Sequence, residues 1–274
     1  MTYGWAILII AVVLGALFQL GVFNAINFEP KAQPGACQVV RPNGPNTTSI
    51  VSLEGTCTGE LPQTVAQFNG NSYINISDGL FLAGSIPQIT ITGWEKGSQG
   101  GTIFTLNGES IDMRTNYMVF DVCSSSGNTN LPSMPVDALD GKWHFIAVSI
   151  NANTMIGYID SYNSSAVVPY SYQTSPPKAY IGACLSCANG ASFPWGLWIG
   201  QLANIQVYDT SLSPSEIRAL YLEGIGGAPI DLQNLVGWWP LNGNANDYSG
   251  NDNNGVPYNG VMFVSNWWSG YTPP

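Results

Sequence analysis

Positive charge is scarce in this chain: seven Lys plus Arg stand against 17 Asp plus Glu, with a single histidine, for a formal net charge of -10. Affinity for nucleic acid rests on clustered cations, so a phosphate backbone is excluded as a partner. Charge of either sign is sparse, at 9% of 274 residues, while aromatics reach 12% and Gly, Asn, Ser and Thr abound. That mixture is poor in helix formers, which argues against long soluble helices and suits a β-sandwich with wide polar loops. No second CxxC accompanies Cys184-Leu-Ser-Cys187, and one histidine is too few to complete a tetrahedral zinc site. Glycoside hydrolysis needs two carboxylates about 5 to 9 Å apart. Here Glu95, Glu109, Asp112 and Asp121 are scattered and no E-x-D-x-x-E run occurs, so the chain is expected not to be an enzyme. His144, beside Trp143 in an alternating run, has no triad partner at a suggestive spacing and is expected to be a packed residue.

The cysteines present are Cys37, Cys57, Cys123, Cys184 and Cys187, and N-x-S/T sequons stand at Asn46, Asn75 and Asn163. Both features suit an oxidising, extracellular setting, although each sequon has chance occurrence as its alternative. Cys37 is expected to pair with Cys57 across a hairpin and Cys123 with Cys184 or Cys187, leaving one thiol over. From Trp5 to Phe23 the chain is almost wholly apolar, and such a helix would measure roughly 28 Å, close to a bilayer's hydrocarbon thickness. Residues 1–27 are therefore expected to form an apolar helix, a membrane anchor or a filament core. Residues 28–63 read as a Cys-containing stalk or hairpin.

From Val65 onward, nine short runs alternate apolar and polar residues: VAQF, SYINI, ITITGW, GTIFTL, YMVFDV, WHFIAVSI, MIGYID, KAYIGA and LANIQVY. Runs of this kind separated by Gly and Asn predict an antiparallel sandwich over residues 64–274. After the last run, Ser213 can cap a helix with Pro214 at its first position and Glu216 closing a capping box. The segment 235–274, with Trp238, Trp239, Trp267 and Trp268, is too short for a second sandwich and too apolar to stay unpaired. It is expected to complete its own sandwich, with insertion into a neighbouring subunit as the alternative.

Two resemblances attach to these residues. Met1-Thr-Tyr-Gly-Trp-Ala-Ile-Leu-Ile-Ile resembles the membrane helix of archaeal type IV pilin-like proteins, which implies packing against identical subunits in a surface filament; the glutamate-containing processing segment that precedes it in that family does not appear here. Phe68-Asn-Gly-Asn-Ser-Tyr-Ile, Gly141-Lys-Trp-His-Phe-Ile-Ala-Val, Met155-Ile-Gly-Tyr-Ile-Asp and Gly200-Gln-Leu-Ala-Asn-Ile-Gln-Val-Tyr-Asp resemble, in order, strands of the laminin-G-like, concanavalin-A-like jelly roll. Leu235-Val-Gly-Trp-Trp-Pro-Leu-Asn-Gly resembles the segment that normally opens that domain, so its place at the end implies a circular permutation. Together they imply an adhesive cell-surface protein, with a membrane-tethered lectin-like module for glycans or proteins as the alternative.

The jelly-roll resemblance also implies Ca²⁺ near Asn244-Ala-Asn-Asp-Tyr-Ser-Gly-Asn251, with Asp247 as the ligand pointed to and Asn244 and Asn251 beside it. The same oxygens would serve equally in a series of Asx turns without metal. For sugar binding, which needs a flat aromatic on an exposed rim, the candidates are Trp195, Trp198, Trp268 and Tyr271.

Overall fold

The structure, a computed structural model, describes residues 4–19, 31–76, 88–106, 109–113, 117–122, 128–167, 178–185 and 197–274. Helix α1 (Gly4–Gln19) has no polar stripe, and the side chains from Ile7 to Leu14 are exposed. Its 16 described residues include Trp5 to Gln19 of the expected span, and residues 20–23 of that span lie outside the described residues. At about 1.5 Å per residue the described helix falls short of a bilayer's hydrocarbon core, and no helix among the described residues is long and apolar enough to cross a membrane. Residues 20–30, which would carry any extension, lie outside the described residues.

Two antiparallel sheets form the sandwich. The larger is ordered β14 (Tyr162–Val167), β13 (Thr154–Ile159), β12 (His144–Asn151), β7 (Gln88–Gly97), β16 (Ile199–Tyr208), β5 (Val65–Asn69) and β19 (Met262–Val264). Strand β17 (Leu235–Trp239) also pairs with β16, taking Ile205 to Tyr208 while β5 takes Ile199 to Leu202. The second sheet runs β11 (Asn128–Asn130), β10 (Met118–Val122), β9 (Glu109–Met113), β8 (Gly101–Leu106), β15 (Ala179–Ile181), β6 (Tyr73–Ile76) and β18 (Gly255–Tyr258).

The period of two in each strand sorts its side chains into two apolar layers. Ile89, Ile91, Ile146, Val148 and Leu202 of the larger sheet meet Phe104, Leu106, Ile111 and Met113 of the other, filling the space between them. Their neighbours Trp94, Phe145, Ala147, Tyr158 and Ala203 face the opposite way and form a second cluster. That outer face is roofed by three elements. The first is α2 (Pro214–Glu223), which contributes Ile217 and Leu220. The second is an arm built from the parallel pair β1 (Lys31–Ala32) and β4 (Leu61–Pro62) and the hairpin β2 (Cys37–Val40) and β3 (Ser52–Gly55). The third is the C-terminal tail, through Trp267 and Tyr271.

Local chemistry fixes these elements. Ser213 caps α2, its hydroxyl accepting from the Glu216 N–H while Glu216 Oε2 accepts from the Ser213 N–H at 2.7 Å, with Pro214 opening the helix. Gly237 has no Cβ because one would lie 2.2 Å from the Trp239 ring, so this strand can carry its buried indole only over a glycine. The segment 235–274 supplies β17, β18 and β19, which pair with β16, β6 and β5 of the same chain.

The arm is held twice. Cys37 and Cys57 form a disulfide, as suits an oxidising, extracellular setting. Cys184 is also disulfide-bonded, and Cys123 and Cys187 lie outside the described residues. Arg41, buried without a carboxylate in contact, gives its guanidinium to four carbonyls: Ser249 at 3.0 Å, Thr47 at 2.5 Å, and Leu232 and Leu235 at 2.8 Å each. It thereby bolts the arm to the segment leading into β17. Replacing it strands several buried acceptors at once. Arg41→Ala is expected to cost about 3 kcal/mol of unfolding free energy, and Arg41→Lys less; chemical denaturation checks this, and an unchanged midpoint for Arg41→Ala would refute the role.

Candidate functional site

The turn from Asn244 to Asn254 is crowded with side-chain oxygens, and the structure shows what they face. Asp247 Oδ1 accepts from the Trp238 and Ser249 N–H groups at 2.9 and 2.8 Å. Its Oδ2 accepts from the Ser249 hydroxyl at 2.8 Å and the Asn253 N–H at 2.9 Å. Burial pushes the Asp247 carboxyl above its ordinary range, and these donors offset only part of that rise. Asn244 Oδ1 accepts from the Asn246 N–H, and Asn251 bonds the Leu235 and Val236 carbonyls and accepts from the Asn46 N–H.

All three expected calcium ligands thus have their oxygens turned to N–H or O–H donors of the chain itself, and the donor set does not fit a cation. Among the described residues, no three His, Cys, Asp or Glu side chains group so as to hold a metal. The turn is an Asx-type scaffold that fixes β17 and its two indoles. Asp247→Ala is therefore expected to lower stability by about 3 kcal/mol. Added Ca²⁺ or a chelator should shift the Tm of the parent chain by less than about 1 °C, since a ligand stabilises only what it binds. A calcium-dependent rise in Tm that vanishes in Asp247→Ala would sink this assignment.

The expected sugar-binding aromatics fare differently from one another. Trp198 is 0% exposed, packed in the inter-sheet core against Gly97, and offers no face to a ligand. Tyr271 is half-buried, edge-on to Trp94 and Trp267, with its hydroxyl accepting from the Ile225 N–H at 3.2 Å; it pins the tail to α2. Trp268 leans on Trp267 and lies under the Lys31 ammonium, 4.2 Å from the ring centroid. Trp195 lies outside the described residues. Of the sequons, Asn46 and Asn163 are exposed, the latter on the edge strand β14, and Asn75 is half-buried in β6.

What the structure assembles instead is an aromatic ledge on the outward face of β6 and β18. Tyr73 and Tyr258 are register partners whose rings stack 5.1 Å apart at 7°, and Tyr180 of β15 meets Tyr73 edge-on at 6.0 Å. Tyr258 is 41% exposed. Asn75 and Val256 continue the ledge along the strands. Asn71 and Asn259 close its end, where the Asn259 amide donates to the Asn71 carbonyl at 3.0 Å and the Asn69 amide to the Asn259 carbonyl at 3.3 Å. No charged residue occurs from Asn69 to Ile76 or from Gly255 to Val261. Sequence reasoning passed over Tyr73 and Tyr258. The available signal was parity: Tyr73 alternates with the inward Ile74 and Ile76, which aims it at solvent.

No protein-family model matches this sequence, and no curated protein matches it. Solved structures do match in three dimensions. A protein of Bacteroides ovatus described as carbohydrate-binding superposes with a TM-score of 0.54 at 13% identity, covering 78% of this chain and 66% of that one. The heptameric SAP-like pentraxin of Limulus polyphemus gives 0.54 at 17% identity, covering 74% of this chain and 94% of its own. The likeness is one of fold. Domains LG4-5 of the mouse laminin α1 chain overlap at 0.43 and 16% identity, over 61% of this chain and 46% of that one. This chain spans just under two thirds of the Bacteroides protein and nearly the whole pentraxin subunit.

Proposed function

We propose that the chain is an extracellular lectin-like binding module, not an enzyme, and that it takes neutral sugars on the Tyr73–Tyr258 ledge. The observation that carries this is the stacked tyrosine pair, Tyr258 exposed and Tyr73 half-buried, bordered by side-chain amides on two strand segments without charge. An aromatic plane covers the apolar face of a pyranose ring while amides bond its hydroxyls. The net charge of -10 disfavours sulfated or otherwise acidic glycans. Support comes also from the carbohydrate-binding description of one fold neighbour, and from the disulfide of an extracellular chain.

A second reading concerns display. Helix α1 exposes apolar side chains all round, and such a surface is covered by lipid or by copies of itself. The filament subunit implied by the N-terminal resemblance would use it as a bundle core, holding the module outward for attachment to a surface.

The deciding experiment is a glycan screen with the full chain in detergent. Neutral oligosaccharides are expected among the binders. Tyr258→Ala should weaken binding about three- to tenfold, the worth of one aromatic stack, while Trp268→Ala leaves it unchanged. Binding that survives Tyr258→Ala intact, or that selects sulfated glycans, would overturn the assignment.

A further inference from the structure

Glu95 is 0% exposed and lies between the sheets, where its carboxylate oxygens make no well-formed hydrogen bond among the described residues and the Gly97 backbone N–H, the donor that approaches them, offsets only part of the cost of burial. Strand parity puts it there: Ile89, Ile91, Gly93 and Glu95 share one face of β7, and the first two belong to the inter-sheet core. Across the ladder it is the register partner of His144 in β12, and on its other side it pairs with Leu202 of β16. A Cβ on Gly97 would sit 2.7 Å from the Trp198 ring and 3.5 Å from Glu95 Oε2, so the carboxyl lies close to an indole.

His144 is itself held between two acids. Its Nδ1 is 2.7 Å from Asp160 Oδ2 and its Nε2 is 3.2 Å from Asp140 Oδ1. Asp160 stands in the turn between β13 and β14, where its Oδ1 accepts from the Phe145 N–H at 2.9 Å. Asp140 belongs to the loop 131–143 and pairs with the exposed Lys142 at 2.5 Å; Asp137 lies in the same loop. Leu131, Met134 and Ala138 of that loop are buried in the core. The Gly141 N–H donates to the Gly97 carbonyl at 3.0 Å. The C-terminal tail docks on this same corner: the Trp143 N–H donates to the Gly270 carbonyl, the Trp143 indole to the Trp267 carbonyl at 2.8 Å, and Lys96 Nζ to the Ser269 carbonyl.

We propose that Glu95, His144, Asp140 and Asp160 form a proton-operated clasp that holds the 131–143 loop and the C-terminal tail against the sandwich in mildly acidic surroundings and slackens as the pH rises. With a proton on each, Glu95 is a neutral group in an apolar site and His144 donates to both aspartates. Removing both protons leaves a buried carboxylate facing Asp140, Asp160 and Asp137, with Lys142 as the cation at the rim.

The directions agree with this. Burial, reinforced by Asp160 and Asp140, raises Glu95 well above its ordinary 4.5. Burial opposes charge on His144, but the bonds to Asp160 and Asp140 outweigh it and raise the imidazole above 6.5. Burial likewise works against Asp140, whose bonds to Lys142 and His144 nevertheless hold it below 3.8. The cost of burying Glu95 thus begins as the pH rises past 4.5, and the stability from His144 is lost as the pH rises through its elevated value. Asp140 keeps its share until the pH falls below 3.8. The clasp is tightest between these limits.

His144 is the only histidine in the chain, so its proton NMR signal needs no assignment. In the full chain in detergent its midpoint is expected above 6.5, whereas a midpoint below 6.5 overturns the clasp. The thermal unfolding temperature should fall by about 5 °C or more between pH 4.5 and pH 8, beginning as Glu95 would ionise in the unfolded chain and continuing through the titration of His144. Glu95→Gln, neutral at every pH, should remove at least half of that fall. A variant that tracks the parent profile would refute the proposal. Should Glu95→Gln fail to fold, amide exchange in the parent chain decides: opening of residues 131–143 and 267–271 must gain on the rest of the sandwich as the pH rises, and uniform behaviour rejects it.

Discussion

A sheet that carries Trp94, Phe145, Tyr158, Tyr208 and Trp238 on the side away from the sandwich interior cannot leave that side to water. Each such side chain is worth about 2 kcal/mol or more when buried, so covering this face is the constraint around which the rest of the chain is arranged. Helix α2, the disulfide-closed arm and the tail are all roofing for it. Their own polar needs then determine the hydrogen-bonding plan: Arg41 takes carbonyls from the arm and from the approach to β17, and Asn204 receives the Trp238 indole N–H at 2.8 Å while giving its amide to the Gly227 carbonyl. The inter-sheet layer is a conventional apolar core by comparison, apart from the buried acid at its end.

Much of the framework is visible in the sequence because it is local. Each of the nine alternating runs contains a strand, since a period of two needs only neighbouring residues to be detected. The capping box at Ser213 and Glu216 is likewise a matter of three-residue spacing. Strand β14, YNSSAV, escaped because it is an edge strand whose inward positions, Ser164 and Ala166, are small and only half-buried, so its composition carries no clear apolar alternation. Strand β3 begins only at Ser52 because Ile50 takes a left-handed backbone conformation, φ 54°, which breaks an extended run.

The candidate sites were less legible because they depend on which remote groups converge. Asp247 is conspicuous as an oxygen donor, but the Trp238 N–H that claims it belongs to a strand, and the sequence does not show that pairing. Trp198 stands beside Gly196 and Leu197 with nothing in the sequence to mark it as core, yet the missing side chain at Gly97 makes room for its ring between the sheets. Tyr73 and Tyr258 sit near opposite ends of the sandwich sequence and meet only because β18 returns to the edge of β6. Glu95 and His144 could have been paired by parity once β7 and β12 were known to be adjacent, and that adjacency is a product of topology.

The doubly fastened arm has a mechanical corollary. Any load applied through α1 reaches the sandwich at Lys31, and the first structures to bear it are the β1–β4 pair, the hairpin closed by Cys37 and Cys57, and the Arg41 bolt to the approach of β17. None of these is an outer strand of the sandwich that could be peeled away one hydrogen bond at a time. Tension is handed to the middle of the larger sheet through β17 and β16, so a pull on the chain ahead of Lys31 is met where many bonds must yield together.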